Sequence, residues 1–410
     1  MNNKTTKAND PALYTLITVF FFWGFLAASN GIFIPFCKSH FHISQFESQL
    51  IDFTFYGGYF VGALLLYFAS YISKIDILDK LGYKNGIIVG LVISAIGALV
   101  MVPALGSGNF TFILFAFIII TIGFSVQQTA ANPFVVALGP PETGSNRLNF
   151  AGSINNIGTL VGPVTISIIL FGRASKPTSA NLINITSVDT LYYVFAGLLL
   201  FVAGFFWFSK LPKITSDEQL EISKKPNLPL FLMFLAFCLM MGVDKFSLLT
   251  GLPKAFFVYP SLLLIVLTLI ISSKAAKVNK EGWGAMQYPQ LVLGMLAIFT
   301  YVGVEATIQS NMGALLKTPE FGAIEDSGIS PYISLYWGSL MIGRWTGAIG
   351  AFKLNKLLKN TLLIVIPLLA FGVVLMVNYL SGVDVNKFFP YVVSIAILIA
   401  AFYIPMKIIF

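Results

Sequence analysis

Charge is what this sequence most lacks. Of its 410 residues only 10% are charged, against 57% hydrophobic, and the mean hydropathy is +0.85. A soluble domain needs about a quarter of its residues charged, so a water-soluble protein is excluded. Cysteine is nearly absent, and Cys37 and Cys238 form neither a disulfide framework nor a metal-ligand spacing. The two histidines, His40 and His42, share one loop, and two ligands without a third make a poor metal site. No G-x-x-x-x-G-K-[ST] phosphate loop, nucleophile elbow or H-E-x-x-H pair occurs. An enzyme is therefore not expected, nor a resident cofactor. The net charge of +8 lies mostly between apolar runs, so it does not point to nucleic acid.

What is present is a series of apolar runs, each long enough to cross roughly 30 Å of hydrocarbon at about 1.5 Å per residue. Hydropathy places spans near 13–35, 50–72, 86–105, 110–138, 148–172 and 189–209, then near 228–243 and 256–273, and finally near 289–316, 332–352, 361–380 and 389–408. The first run follows MNNKTTKAND and continues as a full span, which is unlike a cleavable signal. With a cytoplasmic N-terminus, only Lys38, Arg173, Lys176, Lys245, Lys254, Lys317 and Lys387 of the 25 Lys and Arg residues fall outside. The positive-inside rule supports that orientation, in a bacterial inner membrane. The hydrophilic stretch LPKITSDEQLEISKKPN, 211–227, reads as an inner linker after six spans.

Chemistry rests on polar residues inside the spans. In VQQTAANPF, Gln127 and Gln128 break an apolar run; Gln128 and Asn132 are four apart, on one helix face, and Pro133 frees a backbone carbonyl. Amides carry donors and acceptors together, the complement of a sugar hydroxyl, although interhelical bonding accounts for them too. The next span, RLNFAGSINNIGTLVGP, adds Asn149, Asn155 and Asn156, with Gly152, Gly158 and Gly162 suited to close helix approach. Asp52, Tyr56 and Tyr59 share a face, as do Tyr301, Glu305 and Gln309, with Asn311 two residues on. Carboxylates in a span are costly and point to function, though Asp52 is near enough to its helix start to reach the interface. Trp23 and Asn30 lie seven residues apart on one face, a ring to stack on a pyranose and an amide to bond its rim; Trp23 equally suits an interface anchor. The turn around Asp79, Lys80, Gly82 and Lys84 reads either as a latch between inner helix ends or as a solvated loop.

The stretches FFFWGFLAASNGIFIP, LIDFTFYGGYFVGALL, LDKLGYKNG, QQTAANPFVVALGP, RLNFAGSINNIG, IFTYVGVEATIQS and LYWGSLMIGRWTGA together resemble the fucose:proton symporter family of the major facilitator superfamily, which includes glucose/galactose transporters. The resemblance covers residues 15–172 and 289–350 most strongly. It implies two six-helix bundles rocking about a central sugar site. Where proton-coupled members carry an aspartate and a glutamate, this chain has Gly31 and Gln128; a family glutamine is replaced by Gly152, while an asparagine is kept at Asn155. Conversely, Asp52 and Glu305 stand where relatives often have glutamine. These departures leave Na⁺ coupling, H⁺ coupling and uncoupled transport all open.

The expected fold is thus an all-α integral membrane protein of the two-bundle facilitator type, with an extra inserted helix pair. Residues 1–210 form the N-terminal six-helix bundle, 211–227 the cytoplasmic linker and 228–285 the inserted pair with its loop. Residues 286–410 form a C-terminal bundle of four spans, two fewer than the resemblance implies. The expected function is movement of a hexose of the glucose, galactose or fucose class, with co-transported Na⁺ or H⁺. Trp23, Asn30, Gln127, Gln128, Asn132, Asn155, Asn156, Tyr301, Gln309 and Asn311 are the candidate sugar ligands. Asp52 and Glu305 are the candidate coupling groups, and Asp79, Lys80 and Arg344 the candidate gating or structural charges. The expected partners are the sugar and the bilayer, with no nucleic acid, for a monomer. A facilitated uniporter, or a sugar sensor descended from a carrier, is the rival reading.

Overall fold

A computed structural model of the chain describes residues 11–27, 37, 41, 43–171, 185–215, 223–316, 318–323, 326–352, 354–380 and 384–409. Those residues form helices joined by turns and loops, with no strand among them. In hydrocarbon each backbone N–H and C=O must be satisfied within its own segment, which a helix achieves alone. The N-terminal half holds α1 (Pro11–Ala27), α2 (Gln45–Ser73), the short α3 (Ile77–Leu81), α4 (Tyr83–Gly106), α5 (Phe110–Ala137), α6 (Gly144–Phe171) and α7 (Ile185–Phe208). After the linker come α8 (Asn227–Met241), α9 (Val243–Thr250) and α10 (Ala255–Val278). The second half holds α11 (Pro289–Leu316), α12 (Asp326–Ala348), α13 (Lys356–Leu380) and α14 (Tyr391–Ile409).

Polar residues mark the helix starts. Ser44 and Glu47 form a reciprocal capping box on α2, the Ser44 hydroxyl accepting from Glu47 N at 3.2 Å and the Glu47 carboxylate accepting from Ser44 N at 2.7 Å. Asn109 caps α5 by accepting from the Thr111 and Phe112 amides. Among the described residues, seven helices are long and apolar enough to cross a membrane, or eight if α8 and α9 are one broken span. The run expected near 228–243 is helical over Asn227–Met241; at Gly242 the axis bends by 68°, and α9 runs off as a separate short helix.

The two halves have separate apolar cores. In the first, α4 packs on α5 and α7, α2 on α5, and α1 on α6, around Leu16, Ile87, Leu91, Ile113, Phe124 and Phe134. The α1–α6 crossing is close because both helices present glycine: a methyl group on Gly24 would lie 1.9 Å from Asn155 O, and one on Gly158 would lie 2.1 Å from Phe21 O. The second core joins α12, α13 and α14 through Met341, Ile342, Ala370, Phe371, Val374 and Ile395.

The inserted pair leans on the N-terminal half along α2. Phe237 of α8 stacks on Phe53 with centroids 5.4 Å apart and fills the space left by Gly57, where a Cβ would meet its ring at 2.2 Å. The Tyr67 hydroxyl donates to Asn227 Oδ1 at 2.9 Å at one end. At the other, Lys254, which pairs with Asp244, sits 4.1 Å from the Phe46 ring centroid.

Candidate substrate site between the two bundles

The glutamines of α5 part company. Gln127 is fully buried: its Oε1 accepts from Trp23 Nε1 at 2.6 Å and its Nε2 donates to Ser94 Oγ at 3.0 Å. Trp23 and Gln127, both among the expected sugar ligands, bond each other in a buried tie that joins α1, α4 and α5. Gln128, about 100° further round the helix, is half-buried and donates to the Tyr59 hydroxyl at 3.4 Å. Asn132, on the same face, is half-buried with no side-chain hydrogen bond to a described residue. Gln128 and Asn132 therefore keep hydrogen-bonding capacity for a guest.

The amides of α6 divide likewise. Asn155 donates to Phe20 O at 2.9 Å, tying α6 to α1, and its oxygen has no partner among the described residues. Asn156 is buried and faces α12, with Arg344 Nη1 at 3.4 Å and, in the turned-over amide orientation, Met341 N at 3.2 Å. It belongs to the seam between the halves. Along that seam Trp345 Nε1 donates to Ser153 O at 3.2 Å, Asn146 donates to Gly350 O at 3.0 Å, and Phe150 meets Phe352 edge-on with centroids 5.2 Å apart. Gly152, where the family resemblance would put a glutamine, leaves room for the Arg344 side chain: a Cβ there would lie 3.5 Å from Arg344 Cδ.

Both candidate coupling carboxylates meet one tyrosine. Tyr56 of α2 lies within electrostatic range of Asp52, one turn away, and of Glu305 and Tyr336 from the second half. The Tyr336 hydroxyl donates to Glu305 O at 3.4 Å, and Tyr336 also feels Tyr301. Asp52 is half-buried and Tyr301 exposed. Further along the same pair of helices, Gln49 Nε2 donates to Asn311 Oδ1 at 3.0 Å. Tyr59 connects this group to the amides, since it neighbours Tyr56 and accepts from Gln128. Asn30 and the side chain of Gln309 lie outside the described residues.

Two cations that were not singled out as site residues do structural tasks. Arg147 is 2% exposed and donates to Val135 O, Val136 O, Pro140 O and Thr143 Oγ1 at 3.0, 2.5, 3.0 and 2.6 Å. It thereby satisfies the orphan carbonyls at the end of α5. Lys84 does the same for α7, donating to Trp207 O and Ser209 O at 3.0 and 2.7 Å. The expected latch in this turn is therefore made by Lys84, while Lys80 is exposed and Asp79 Oδ1 is buried without a partner among the described residues. A cavity inside the N-terminal half is lined by Leu26, Phe55, Phe117, Phe124, Tyr192 and Phe195, an almost wholly apolar set poorly suited to a polyol.

Two helical halves with separate cores, meeting across a polar seam, define a multi-pass helical membrane protein. The chain belongs to the Major Facilitator Superfamily, whose family model matches residues 15–409. It is 28% identical over 337 residues to a glucose/galactose transporter of Brucella abortus, covering 82% of this chain and 66% of that protein's length. It is 31% identical over 217 residues to the L-fucose-proton symporter of Escherichia coli, covering 50% of this chain and 48% of the symporter. A crystal structure of a Major Facilitator transporter, FucP, in the outward conformation matches at 20% identity over 92% of this chain and 99% of that one, with a TM-score of 0.43.

Proposed function

We propose that the protein is a secondary carrier that moves a hexose-class monosaccharide across the bacterial inner membrane by exposing a site between its halves to each side in turn. Support comes first from relatives that are sugar transporters by name. The structural observation behind the reading is that Gln128 donates to Tyr59 and that Tyr56, on the same helix as Tyr59, lies within electrostatic range of Glu305 and Tyr336 of the other half. A sugar at that junction bonds Gln128, Asn132 and the oxygen of Asn155 on one side and the Tyr336 region on the other, so its binding energy acts across the interface that must rearrange.

Coupling falls to Asp52 and Glu305. Each is within reach of Tyr56 from a different half, so a cation or proton that relieves their charge favours approach of α2 and α11. The neutral Gln128 cannot take up a proton, which leaves coupling to these carboxylates. Uptake of labelled glucose, galactose and fucose into proteoliposomes, with a sodium gradient, a pH gradient or neither, tests the reading. Gradient-dependent accumulation is expected; binding without counterflow makes the protein a sensor instead.

A further inference from the structure

We infer that the outward face of α7 binds one anionic phospholipid, with an acyl chain in the groove at Gly204 and the headgroup phosphate at Lys84. The site lies on the first half alone and does not depend on the carrier reading.

Glycine weakens a helix, so within a span it usually marks the close approach of another backbone. Gly24 and Gly158 do this where α1 crosses α6. Gly197 and Gly204 of α7 do not, since a Cβ on either would meet nothing within 4 Å. The buried side of α7 carries Leu199, Val202, Ala203 and Phe206 instead. Phe201, Gly204, Phe205 and Phe208 stand at i, i+3, i+4 and i+7, hence on one face. With Ser209 they line an open groove of about 470 Å³, which follows about 12 Å of the helix. Its three rings are exposed, Phe208 by 84%. The hydroxyl at its end, that of Ser209, is spent on Phe206 O at 2.7 Å. Such walls suit an alkyl chain.

The groove ends at a cation. Lys84 of α4 donates to Ser209 O at 2.7 Å and to Trp207 O at 3.0 Å. An ammonium has three N–H donors, so one remains, and two neutral carbonyls do not cancel its charge. The chain after α7 is laid over the start of α4, with Tyr83 N donating to Ile214 O at 3.5 Å. That path brings the exposed Lys210 and Lys213 to the same end, and the stretch SKLPKI, 209–214, holds no acidic residue. Trp207, 66% exposed, stands at this level, as tryptophan does at a membrane surface. An apolar groove closed by lysines is the complement of an amphiphile with an anionic head, whose phosphate pairs with the ammonium groups. A second copy fits less well. Two-fold pairing of α7 with α7, in chains inserted the same way, sets lysines beside lysines.

Native mass spectrometry of the purified full chain reads the site, with dioleoyl phosphatidylglycerol and dioleoyl phosphatidylethanolamine added in equal amounts. A single phosphatidylglycerol is expected to stay bound, in roughly fivefold excess or more over phosphatidylethanolamine. Gly204→Leu fills the groove, and Lys84→Gln keeps a donor for the carbonyls while removing the charge. Each is expected to lower the occupied fraction by roughly threefold or more. Should Gly204→Leu not fold, Phe201→Ala takes down one exposed wall of the groove and reads the same site. Equal retention of the two lipids by the wild type overturns the inference. A preference that survives the groove variant assigns the lipid to the loop lysines at large and overturns the groove. One that survives Lys84→Gln overturns the placement of the phosphate. A wild-type dimer that Gly204→Leu abolishes would give the face to a second copy of the chain.

Discussion

Trp23 gives its indole N–H to Gln127 at 2.6 Å, and that bond divides two neighbouring glutamines between unlike tasks. Gln127 holds α1, α4 and α5 together in the buried interior, while Gln128, half-buried, donates to the Tyr59 hydroxyl of α2.

Gln127→Leu is expected to lower stability and Gln128→Leu to lower sugar affinity. The first leaves the indole N–H unsatisfied and removes the bond to Ser94, a loss of about 1–3 kcal/mol, visible as a lower melting temperature in detergent. The second removes a bond to the guest, so sugar Kd should rise roughly tenfold, about 1.4 kcal/mol, with little change in melting temperature. The reverse pattern would place the guest inside the N-terminal half.

Asp52→Asn and Glu305→Gln should uncouple transport without stopping exchange. Each variant keeps a hydrogen-bonding side chain of the same shape but removes a charge from the neighbourhood of Tyr56. Counterflow of labelled hexose is expected to persist, and accumulation driven by a cation gradient to fall by roughly an order of magnitude or more, about 1.4 kcal/mol of lost coupling. Gradient dependence unchanged in both would move the coupling site elsewhere.

Arg147→Met should be among the more damaging single changes. The carbonyls of Val135, Val136 and Pro140, the first buried and the others partly so, and the Thr143 hydroxyl lose their donor together. Leaving buried acceptors unmade costs about 1–3 kcal/mol for each, not additively. Chemical unfolding followed by far-UV circular dichroism measures it; a shift below about 1 kcal/mol would mean that water reaches the end of α5.

Phe237→Ala should loosen the inserted pair from α2 and leave the rest intact. The ring stacks on Phe53 and occupies the notch at Gly57, so its loss forfeits an aromatic contact of about 1 kcal/mol beyond packing. Faster limited proteolysis in the 209–227 and 279–288 connections, with unchanged sugar binding, is the expected signature. Lost sugar binding instead would mean that the pair helps shape the site.

Much of the architecture could be read from the chain. The run predicted as a span at 86–105 is helical over Tyr83–Gly106, and that at 289–316 coincides with Pro289–Leu316. The motif resemblance led to the superfamily that the family model identifies. Other features were invisible to hydropathy. The bend at Gly242 leaves the apolar pattern intact, because composition carries no record of axis direction. Helical spacing set Gln128 and Asn132 on one face, yet it could not tell that the neighbouring Gln127 would be bonded to Trp23 and Ser94. The carbonyl-capping of Arg147 and Lys84 depends on which helix ends come together, which no periodicity records.

Taken alone, the order of residues determined that this is a helical membrane protein. Scarcity of charge and the length of each apolar run leave the backbone no other way to satisfy its hydrogen bonds in hydrocarbon. Only the tertiary structure decided which polar side chains are spent on holding helices together and which remain unsatisfied. An amide or a guanidinium has the same chemistry in either situation; what differs is whether a partner from a distant part of the chain arrives within about 3 Å of it.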